Sequence, residues 1–329
     1  MNILVTGGAG YIGSHVVEEL KTEQITPIVY DNFNTGHADA VPEDVQLIQG
    51  DIHDRNFLEH VLGEYEIDGV MHFAASSQVG ESMQDPAKYY FNNVAGTLSL
   101  LNAMRSAGVD CLVFSSTAAV YGEPERVPIT ENMPLQPTNV YGWTKRMIEK
   151  MLEDYSRAYE LRYVALRYFN AAGASLLGNI GEDHRPESHL IPLILQAALG
   201  KRESVSIFGT DYPTADGTCI RDYIHVKDLA SAHVLAMQHL QGGGESKFYN
   251  LGTENGFSVR EIIQVVQQVT GRKFTVIEAA RRAGDPAKLI ASSEKIKKEL
   301  HWQPQYSDIQ RIVSTAYQWH SSHPDGYAD

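Results

Sequence analysis

The chain has 329 residues, of which 43% are hydrophobic, and this combination permits a large core and about two domains. The formal net charge of -14 argues against nucleic acid or an anionic membrane surface as the main partner, because binding phosphate on that scale needs a basic surface. Two cysteines, Cys111 and Cys219, stand in no metal-binding spacing and predict a reducing compartment without disulfides. No run reaches membrane-spanning length and the N-terminus resembles no leader, so we expect a cytoplasmic protein.

Short apolar runs alternate with amphipathic segments through the first half of the chain. They begin near residues 3, 27, 45, 69, 111 and 163. Runs that are apolar on both faces and separated by helices are typical of a doubly wound parallel sheet, which is an α/β fold. After Asn170 the sequence becomes irregular and polar, which predicts a smaller mixed C-terminal lobe. The segment 224–252 predicts one more helix and strand that return to the sheet.

The first predicted strand runs directly into the glycine-rich turn GGAGYIG, and a helix follows. Glycines there let backbone N–H groups approach a pyrophosphate, which then lies at the positive end of the helix. Asp31 ends the second predicted strand, where its carboxylate can accept a ribose hydroxyl and would repel a 2′-phosphate, so NAD is favoured over NADP. A glycine turn without a ligand is the less favoured alternative. Asp51 ends the third strand and either reaches the adenine or caps a helix.

The segment NVYGWTKRMIEKML has helical apolar spacing that puts Tyr141, Ile148 and Leu152 on one stripe, with Lys145 in its middle. Residues four apart are neighbours on a helix, so the Lys145 ammonium can lie beside Tyr141. A tyrosine of ordinary pKa needs roughly 4 kcal/mol of stabilisation of its phenolate to reach neutrality, and a desolvated lysine and an oxidised nicotinamide can supply it. The alternative is a lysine that reaches the surface from a packing stripe.

The glycine spacing GxxGxxG and the YxxxK pair resemble the extended short-chain dehydrogenase/reductase family. Segments such as DNFNTG, FSSTAAVYGE, LRYFNAAGA, FGTDYPTADGTCIRDYIHV and RRAGD extend the resemblance to its nucleotide-sugar epimerases over nearly the whole chain. The resemblance implies an NAD-dependent isomerase that interconverts UDP-glucose and UDP-galactose through a 4-keto sugar and regenerates its cofactor in each turnover. It further implies that Tyr141 is the base, that Lys145 and Thr117 assist it, and that the protein is a homodimer.

The resemblance also divides the chain and assigns its site residues. Residues 1–172 plus about 223–252 form an NAD-binding Rossmann-type domain, and about 173–222 plus 253–329 form a UDP-sugar-binding lobe. The NAD-binding residues it implies are Gly7, Gly10, Tyr11, Ile12, Gly13, Asp31, Asn32, Thr35, Gly36, Asp51, Ile52, Phe73, Ala74, Asn92, Ser115, Tyr141, Lys145 and Phe169. The substrate-binding residues it implies are Thr117, Asn170, His189, Leu190, Ser206, Phe208, Arg221, Arg282, Asp285 and Leu289. No metal site is predicted.

Three features qualify these assignments. Arg221 and Arg282 are the fixed charges that an acidic protein needs for a diphosphate, although either one alone could be a surface ion-pair partner. Many relatives have Gly-Leu-Lys at the position of residues 75–77, ASS here, which removes one expected cofactor contact. They also have an asparagine at the position of His189, so one nucleotide hydrogen bond is open to question.

Leu289 occupies the position that lines the sugar pocket by resemblance. From the pattern AKLIA alone, a core leucine is the favoured interpretation. The resemblance instead predicts good activity on UDP-galactose and weaker activity on UDP-N-acetylgalactosamine, because leucine is intermediate in size.

Three other functions share the fold. Dehydratases of this family have acidic residues after the hydroxyl position, where this chain has Ala118 and Ala119, so simple epimerisation is preferred. A reductase that releases NADH would share the tyrosine and lysine pair. A non-enzymatic NAD sensor would not need that pair, whose presence argues against it.

Overall fold

Seven parallel strands form the central sheet of the structure, a computed structural model that describes residues 1–282 and 285–328. Numbered along the chain, they are β1 (Asn2–Thr6), β2 (Thr26–Asp31), β3 (Gln46–Gln49), β4 (Gly69–His72), β5 (Cys111–Ser115), β6 (Arg162–Tyr168) and β10 (Lys247–Leu251). Their order is β10-β6-β5-β4-β1-β2-β3. The order reverses between β1 and β4, and ligands bind at such a reversal in open α/β sheets. The predicted doubly wound α/β fold is therefore confirmed.

Helices cover both faces of this sheet. The helices before β10 are α1 (Tyr11–Thr22), α2 (Arg55–Glu64), α3 (Val79–Gln84), α4 (Pro86–Tyr89), α5 (Gly96–Ala107), α6 (Val140–Tyr159), α7 (Leu190–Ala198) and α8 (Val226–Gln241). A π-helical segment, Tyr90–Ala95, joins α4 to α5, and 3₁₀ turns occupy Ala38–Ala40 and Ala118–Tyr121. The helix and strand predicted for residues 224–252 are α8 and β10, and β10 pairs with β6.

Alternation along β1 explains why the strands are apolar on both faces. Ile3 and Val5 point into a core under α1 and α8, whereas Leu4 points into a second core that includes Leu100 of α5 and Ile148 of α6. Burying apolar area on both faces fixes the register of each strand, because a slip of one residue would exchange the two sets. This sheet supplies the rigid edge on which the site is built.

The rest of the chain forms a smaller lobe with short strands. Its elements are β7 (Asn170–Ala172), β8 (Ser204–Phe208), β9 (Ile220–His225), β11 (Gly256–Ser258), α9 (Val259–Thr270), β12 (Thr275–Ala279), β13 (Lys288–Leu289) and α11 (Ile309–Ser322). The helix α10 (Glu294–Leu300) instead packs Ile296 into the core of the large sheet under α8. Strand β9 pairs with β7, β11 and β13, and β8 pairs with β12. A capping box between Ser258 and Glu261 begins α9. Residues of α7, β8, α9 and α11 share a third core.

Two simpler expectations can be checked directly. Cys111 and Cys219 are both buried and unpaired, as their positions in the sequence suggested. Across the described ranges, no helix combines the length and the apolar character needed to cross a membrane.

Candidate active site

The glycine turn lies between β1 and α1, at the reversal of strand order. Gly7 has a φ of +74°, and a Cβ there would lie 2.5 Å from the Ala74 backbone nitrogen. A Cβ on Gly13 would lie 2.2 Å from the Gly7 carbonyl oxygen. Both glycines are therefore required by packing within the protein.

Gly10 differs from those two glycines. A Cβ there would approach no described atom closer than 3.4 Å, so packing within the chain does not require a glycine. No side chain caps α1 at Gly10, and the first backbone N–H groups of a helix need a partner. Open space above uncapped amides is the geometry that a pyrophosphate uses. The turn thus fits the dinucleotide that the sequence predicts.

Asp31 ends β2 beside this turn. Its Oδ2 accepts from the Ala9 backbone at 3.0 Å and its Oδ1 accepts from the Phe33 backbone at 2.9 Å. Burial raises the pKa of the Asp31 carboxyl, and these two backbone hydrogen bonds oppose that rise. Each carboxylate oxygen has a second lone pair. The structure therefore positions Asp31 firmly and leaves it able to accept a ribose hydroxyl.

Asp51 is not a helix cap. The N-cap of α2 is Asp54, which accepts from the Phe57 backbone nitrogen. Asp51 instead accepts from Asn32 Nδ2 at 2.9 Å and from the His53 backbone nitrogen at 2.9 Å. Of its two predicted roles, the one near the adenine end stays a prediction.

The remaining predicted cofactor residues surround the same edge of the sheet. The Ala74 backbone nitrogen donates to Thr6, and Phe73 packs on the His233 ring. Asn92 lies in the π-helical segment and donates to the Ser76 hydroxyl at 3.2 Å. Ile12 and Ile52 pack against the core, and the Tyr11 hydroxyl donates to the Gly173 carbonyl. Gly36 lies next to the Asp31 carboxylate, and Thr35 is exposed.

Tyr141 and Lys145 lie on α6, beneath the end of β5. The Lys145 ammonium is 5.9 Å from the centre of the Tyr141 ring and donates to the Ser115 carbonyl at 2.8 Å. Lys145 is only 3% exposed, so it does not reach the surface as the alternative interpretation required. Thr117 follows β5, and its hydroxyl lies close enough to Tyr141 to lower the pKa of that phenol. The three predicted catalytic residues are therefore brought together.

Burial shifts the pKa values of this pair in opposite directions. It raises the pKa of Tyr141 to about 12, although the hydrogen bond with Thr117 lowers it. It lowers the pKa of Lys145 to about 7, although Glu149 opposes that change. The side chains alone thus keep Tyr141 protonated at neutral pH. A phenolate near neutrality requires further positive charge, such as an oxidised nicotinamide ring.

A buried ion pair between Arg167 and Glu149 lies next to Lys145, and it was not predicted from the sequence. Arg167 on β6 donates to Glu149 through Nε at 2.7 Å and through a terminal nitrogen at 2.8 Å. Ser116 donates to the same carboxylate at 2.8 Å. Glu149 follows Lys145 by four residues, as Lys145 follows Tyr141, so the helical spacing could have revealed Glu149. Nothing local could have identified Arg167 as its partner.

The two predicted diphosphate arginines occupy different settings. Arg221 on β9 forms an ion pair with Asp285 and donates to the Pro286 carbonyl at 2.9 Å. Arg282 is exposed, and its guanidinium lies 3.9 Å from the centre of the Phe208 ring. Both therefore have protein partners, but both lie where a ligand can compete for them.

Leu289 is half-buried, so it is not the core leucine that the local pattern favoured. It pairs in register with Arg221 and, like Phe169, packs against the cluster of residues that contains the 3₁₀ turn after Thr117. Asn170, the next residue after Phe169, donates to the Asp222 carbonyl at 3.0 Å. The predicted sugar-end residues thus lie between the catalytic and the diphosphate groups.

His189 is less free than predicted. Its Nδ1 lies 2.9 Å from the carboxylates of both Glu182 and Glu187. This nitrogen is therefore occupied by protein groups, and only the other ring nitrogen is left to meet a nucleotide. Two further predicted residues lie nearby in sequence or in the same lobe: Leu190, which begins α7, and Ser206, in the middle of β8.

Residues 3–252 match the profile of the NAD dependent epimerase/dehydratase family. The chain is similar to a UDP-glucose 4-epimerase of Halalkalibacterium halodurans, with 56% identity over 100% of this chain and 98% of that protein. It is similar to a crystal structure of UDP-glucose 4-epimerase, with a TM-score of 0.98, 54% identity and full coverage of both chains. It is also similar to the Brucella ovis UDP-glucose 4-epimerase in complex with NAD, with a TM-score of 0.94 and 50% identity over 97% of this chain and 98% of that one. The chain belongs to the NAD dependent epimerase/dehydratase family.

Proposed function

We propose that this protein is an NAD-dependent isomerase that interconverts UDP-glucose and UDP-galactose by inverting the sugar at C4. One observation carries the proposal: Tyr141 lies beside Thr117 and Lys145 at the end of β5, on the edge of the sheet that holds the glycine turn. A proton acceptor and a dinucleotide site at one edge supply what oxidation of a hydroxyl requires. The resemblance to UDP-glucose 4-epimerases over the whole chain supports the same substrate.

In the proposed reaction, Tyr141 takes the proton of the sugar 4-hydroxyl and later returns it to the same oxygen, after the hydride has come back to the opposite face of C4. NAD, held by the glycine turn and Asp31, would supply the acceptor for the C4 hydride and the donor that returns it, and would be regenerated in each turnover. Thr117 holds the substrate oxygen next to Tyr141, and Lys145 favours the phenolate by its positive charge. The 4-keto sugar turns within the site between the two transfers.

The protein groups at the other end hold the UDP moiety. Arg221 and Arg282 supply positive charge to the diphosphate, and Phe208 presents an aromatic face there. Asp285, which pairs with Arg221, holds that guanidinium in place until the diphosphate arrives. We also propose that the division into an NAD-binding domain and a UDP-sugar lobe follows the boundaries expected from the sequence.

The test is to incubate the purified protein with UDP-galactose and to resolve the products over time. We expect UDP-glucose to form without stoichiometric NADH, and Tyr141→Phe serves as the matched inactive control. Accumulation of one NADH per sugar would instead identify a reductase, and unchanged UDP-galactose would favour an NAD sensor. The nucleotide released on denaturation should be NAD or NADH, and finding only NADP would refute the role of Asp31.

We propose that Leu289 limits the size of the sugar that the site accepts. Its half-buried side chain packs beside the 3₁₀ turn after Thr117, which places it near the predicted position of the sugar. A leucine there leaves more room than an aromatic side chain would. We therefore expect measurable but weaker activity on UDP-N-acetylgalactosamine.

We propose that the protein is a homodimer. Large apolar side chains are exposed on α3, the π-helical segment, α5 and α6: Val79, Met83, Tyr90, Phe91, Leu98, Trp143 and Met147. These elements pack against one another, and exposed apolar side chains on neighbouring elements are typical of protein interfaces. Phe91→Glu should give a monomer in analytical ultracentrifugation, whereas Leu177→Glu should not. Leu177 is a matched control because it is 79% exposed but lies in the loop before α7.

We also propose that the protein works in the cytoplasm, in galactose metabolism. Two buried, unpaired cysteines are compatible with a reducing compartment. Cell fractionation followed by the epimerase assay tests the location, and activity confined to a secreted fraction would contradict it.

A further inference from the structure

Four side chains of the segment GEDHRPESH bring possible metal-ligand atoms together. One atom from each of Glu182, His184, Glu187 and His189 lies within 4.8 Å of the other three. Their spacing, ExHxxExH, lies in the loop before α7 and was not recognised as a motif in the sequence. The group includes none of the three proposed catalytic residues, and His189 is its one member that belongs to the predicted substrate-binding set.

The distances between these atoms suit a single small cation. His189 Nδ1 lies 2.9 Å from oxygens of Glu182 and Glu187, and His184 Nδ1 lies 3.2 Å and 3.7 Å from oxygens of the same two residues. Ligands placed tetrahedrally about zinc at its usual bond lengths are about 3.3 to 3.5 Å apart. The four observed distances, which involve both oxygens of Glu187, fall on both sides of that range, and one atom from each residue lies within 4.8 Å of the others, so the side chains must draw together to coordinate an ion.

A second observation points to a missing partner. The Nδ1 atom of His184 is buried and makes no well-aligned hydrogen bond, although it lies 3.2 Å from an oxygen of Glu182. The side chains of Glu182 and Glu187 are only 5% and 6% exposed, and their ion-pair partners within the described part of the chain are the two histidines. One divalent cation bound by two neutral imidazoles would balance the charge of both carboxylates, and it would give His184 Nδ1 a partner along its lone pair.

The ligand set and its surroundings favour zinc. Calcium and magnesium prefer six or more oxygen ligands, whereas zinc takes four ligands from imidazole and carboxylate. A surface cavity of about 300 Å³ includes Glu182, His184 and Glu187 in its wall, and it gives a cation a path to the cluster. Four protein ligands leave no open position, which is typical of a structural site.

We propose that Glu182, His184, Glu187 and His189 bind one structural zinc ion. The ion would hold the loop in place between the two lobes. Within this loop, the Pro186 carbonyl accepts from Gln78 of the first lobe at 3.3 Å, and His189 precedes the first residue of α7. The His184 ring also packs edge-on against Tyr11, with ring centres 6.3 Å apart. The cation therefore links the glycine turn to the start of α7.

The experiment uses the full chain, purified without a metal-affinity tag, stripped with EDTA and then exposed to Zn²⁺. After gel filtration, elemental analysis should find about one zinc per chain, as expected for one four-ligand site. Glu187→Gln keeps the shape of the side chain and should weaken binding by more than the roughly 10- to 100-fold that loss of a supporting contact causes. His60→Ala is the matched control, because His60 pairs with Glu64 on an exposed helix surface, and it should bind zinc like the wild type.

Two further measurements keep the outcome decisive. Zn²⁺ should raise the melting temperature of the wild type and of His60→Ala, but not that of Glu187→Gln. Co²⁺ bound to the wild type should give the visible absorption of a four-coordinate site, which needs no variant to fold. Zinc well below one per chain, or equal retention by Glu187→Gln, would overturn the proposal and leave a cluster of carboxylates and protonated histidines.

Discussion

Behind the predicted base, the charged groups are buried, since Lys145, Glu149 and Arg167 are 3%, 0% and 2% exposed. At the predicted diphosphate end, the side chains of Arg221 and Asp285 are 13% and 29% exposed. A buried charge is tolerated only with a well-placed partner, so the first group is fixed by the packing of α6 on the sheet. The second group can exchange protein partners for a ligand at lower cost. This difference in exposure predicts that the groups around Lys145 hold fixed positions, whereas those around Arg221 can adapt to a ligand.

The largest expected effect is on turnover. Tyr141→Phe removes the phenolic oxygen but keeps the ring, so the fold and the bound cofactor should persist. Proton transfer by a positioned side chain contributes roughly 10²- to 10⁴-fold, and kcat should fall by that factor. Steady-state kinetics with UDP-galactose measure the loss. Turnover close to that of the wild type would remove Tyr141 from the role of base.

Breaking the buried pair tests whether the catalytic end is fixed by its charges. Glu149→Gln leaves Arg167 buried and without a charged partner, which should cost about 3 to 5 kcal/mol of unfolding free energy. Lys150→Met is the control on the same helix, because Lys150 pairs with Asp154 at the surface. It should hardly change the urea midpoint. Equal effects of both variants would contradict the contrast between buried and exposed charges.

The diphosphate end should respond in binding rather than in chemistry. Arg282→Ala should raise KM for UDP-galactose by roughly 10- to 100-fold, since a hydrogen bond to a charged group is worth about 1.5 to 3 kcal/mol. Its kcat should change little. Arg281→Ala is the matched control, because Arg281 stacks on Tyr212 and pairs with Asp211. If Arg281→Ala has the same effect on KM, then Arg282 has no special contact with the diphosphate.

A smaller change is expected from the sugar pocket. Leu289→Tyr should suppress activity on UDP-N-acetylgalactosamine selectively, and Leu289→Ala should favour it, each by about tenfold in the ratio of kcat/KM for the two sugars. Size discrimination by an apolar pocket is limited, which sets this magnitude. Competition assays with both sugars give the ratio. A ratio that is unchanged in both variants would show that Leu289 does not limit sugar size.

A change of about the same size is expected in stability, because burying Lys145 destabilises the folded protein. The pKa of Lys145 is about 7 in the folded protein and 10.5 when unperturbed. Between these values the unfolded chain binds more protons, so this residue makes stability rise with pH. The stability of the wild type relative to Lys145→Met should therefore increase by about 1 kcal/mol per unit from pH 7 to pH 9. Urea unfolding at the two pH values measures the difference in unfolding free energy between the two proteins. A difference that does not change with pH would contradict the lowered pKa of Lys145 in the folded protein. Activity of Lys145→Met should be low throughout.

Local patterns in the sequence predicted the sheet and the placement of Lys145 beside Tyr141. The glycine turn and the spacing of Tyr141 and Lys145 arise within one strand, turn or helix, where periodicity reports the structure directly. The partners of those residues come from distant elements and leave no such pattern. Arg167 meets Glu149 across the packing of β6 on α6, and Arg221 meets Asp285 from another strand. Only the three-dimensional arrangement makes these pairs visible.

The loop before α7 is a second region where prediction from the sequence was limited. Its sequence is irregular, and irregular segments give no periodic signal. The four residues of the proposed zinc site are close in sequence, but their atoms converge only because the loop folds back on itself. The earlier expectation of no metal followed from the absence of a familiar spacing of cysteines and histidines. A spacing of two glutamates and two histidines would have been the signal to examine.

The position of β10 has a consequence for the synthesis of the chain. Its partner, β6, is made much earlier, and the strands β7, β8 and β9 are made between the two. A nascent chain that has just released β6 therefore presents an open strand edge, from Tyr163 to Leu166, that is buried in the finished fold. Such edges invite pairing with other chains. The seven-stranded sheet therefore stays vulnerable on the ribosome until β10 has emerged.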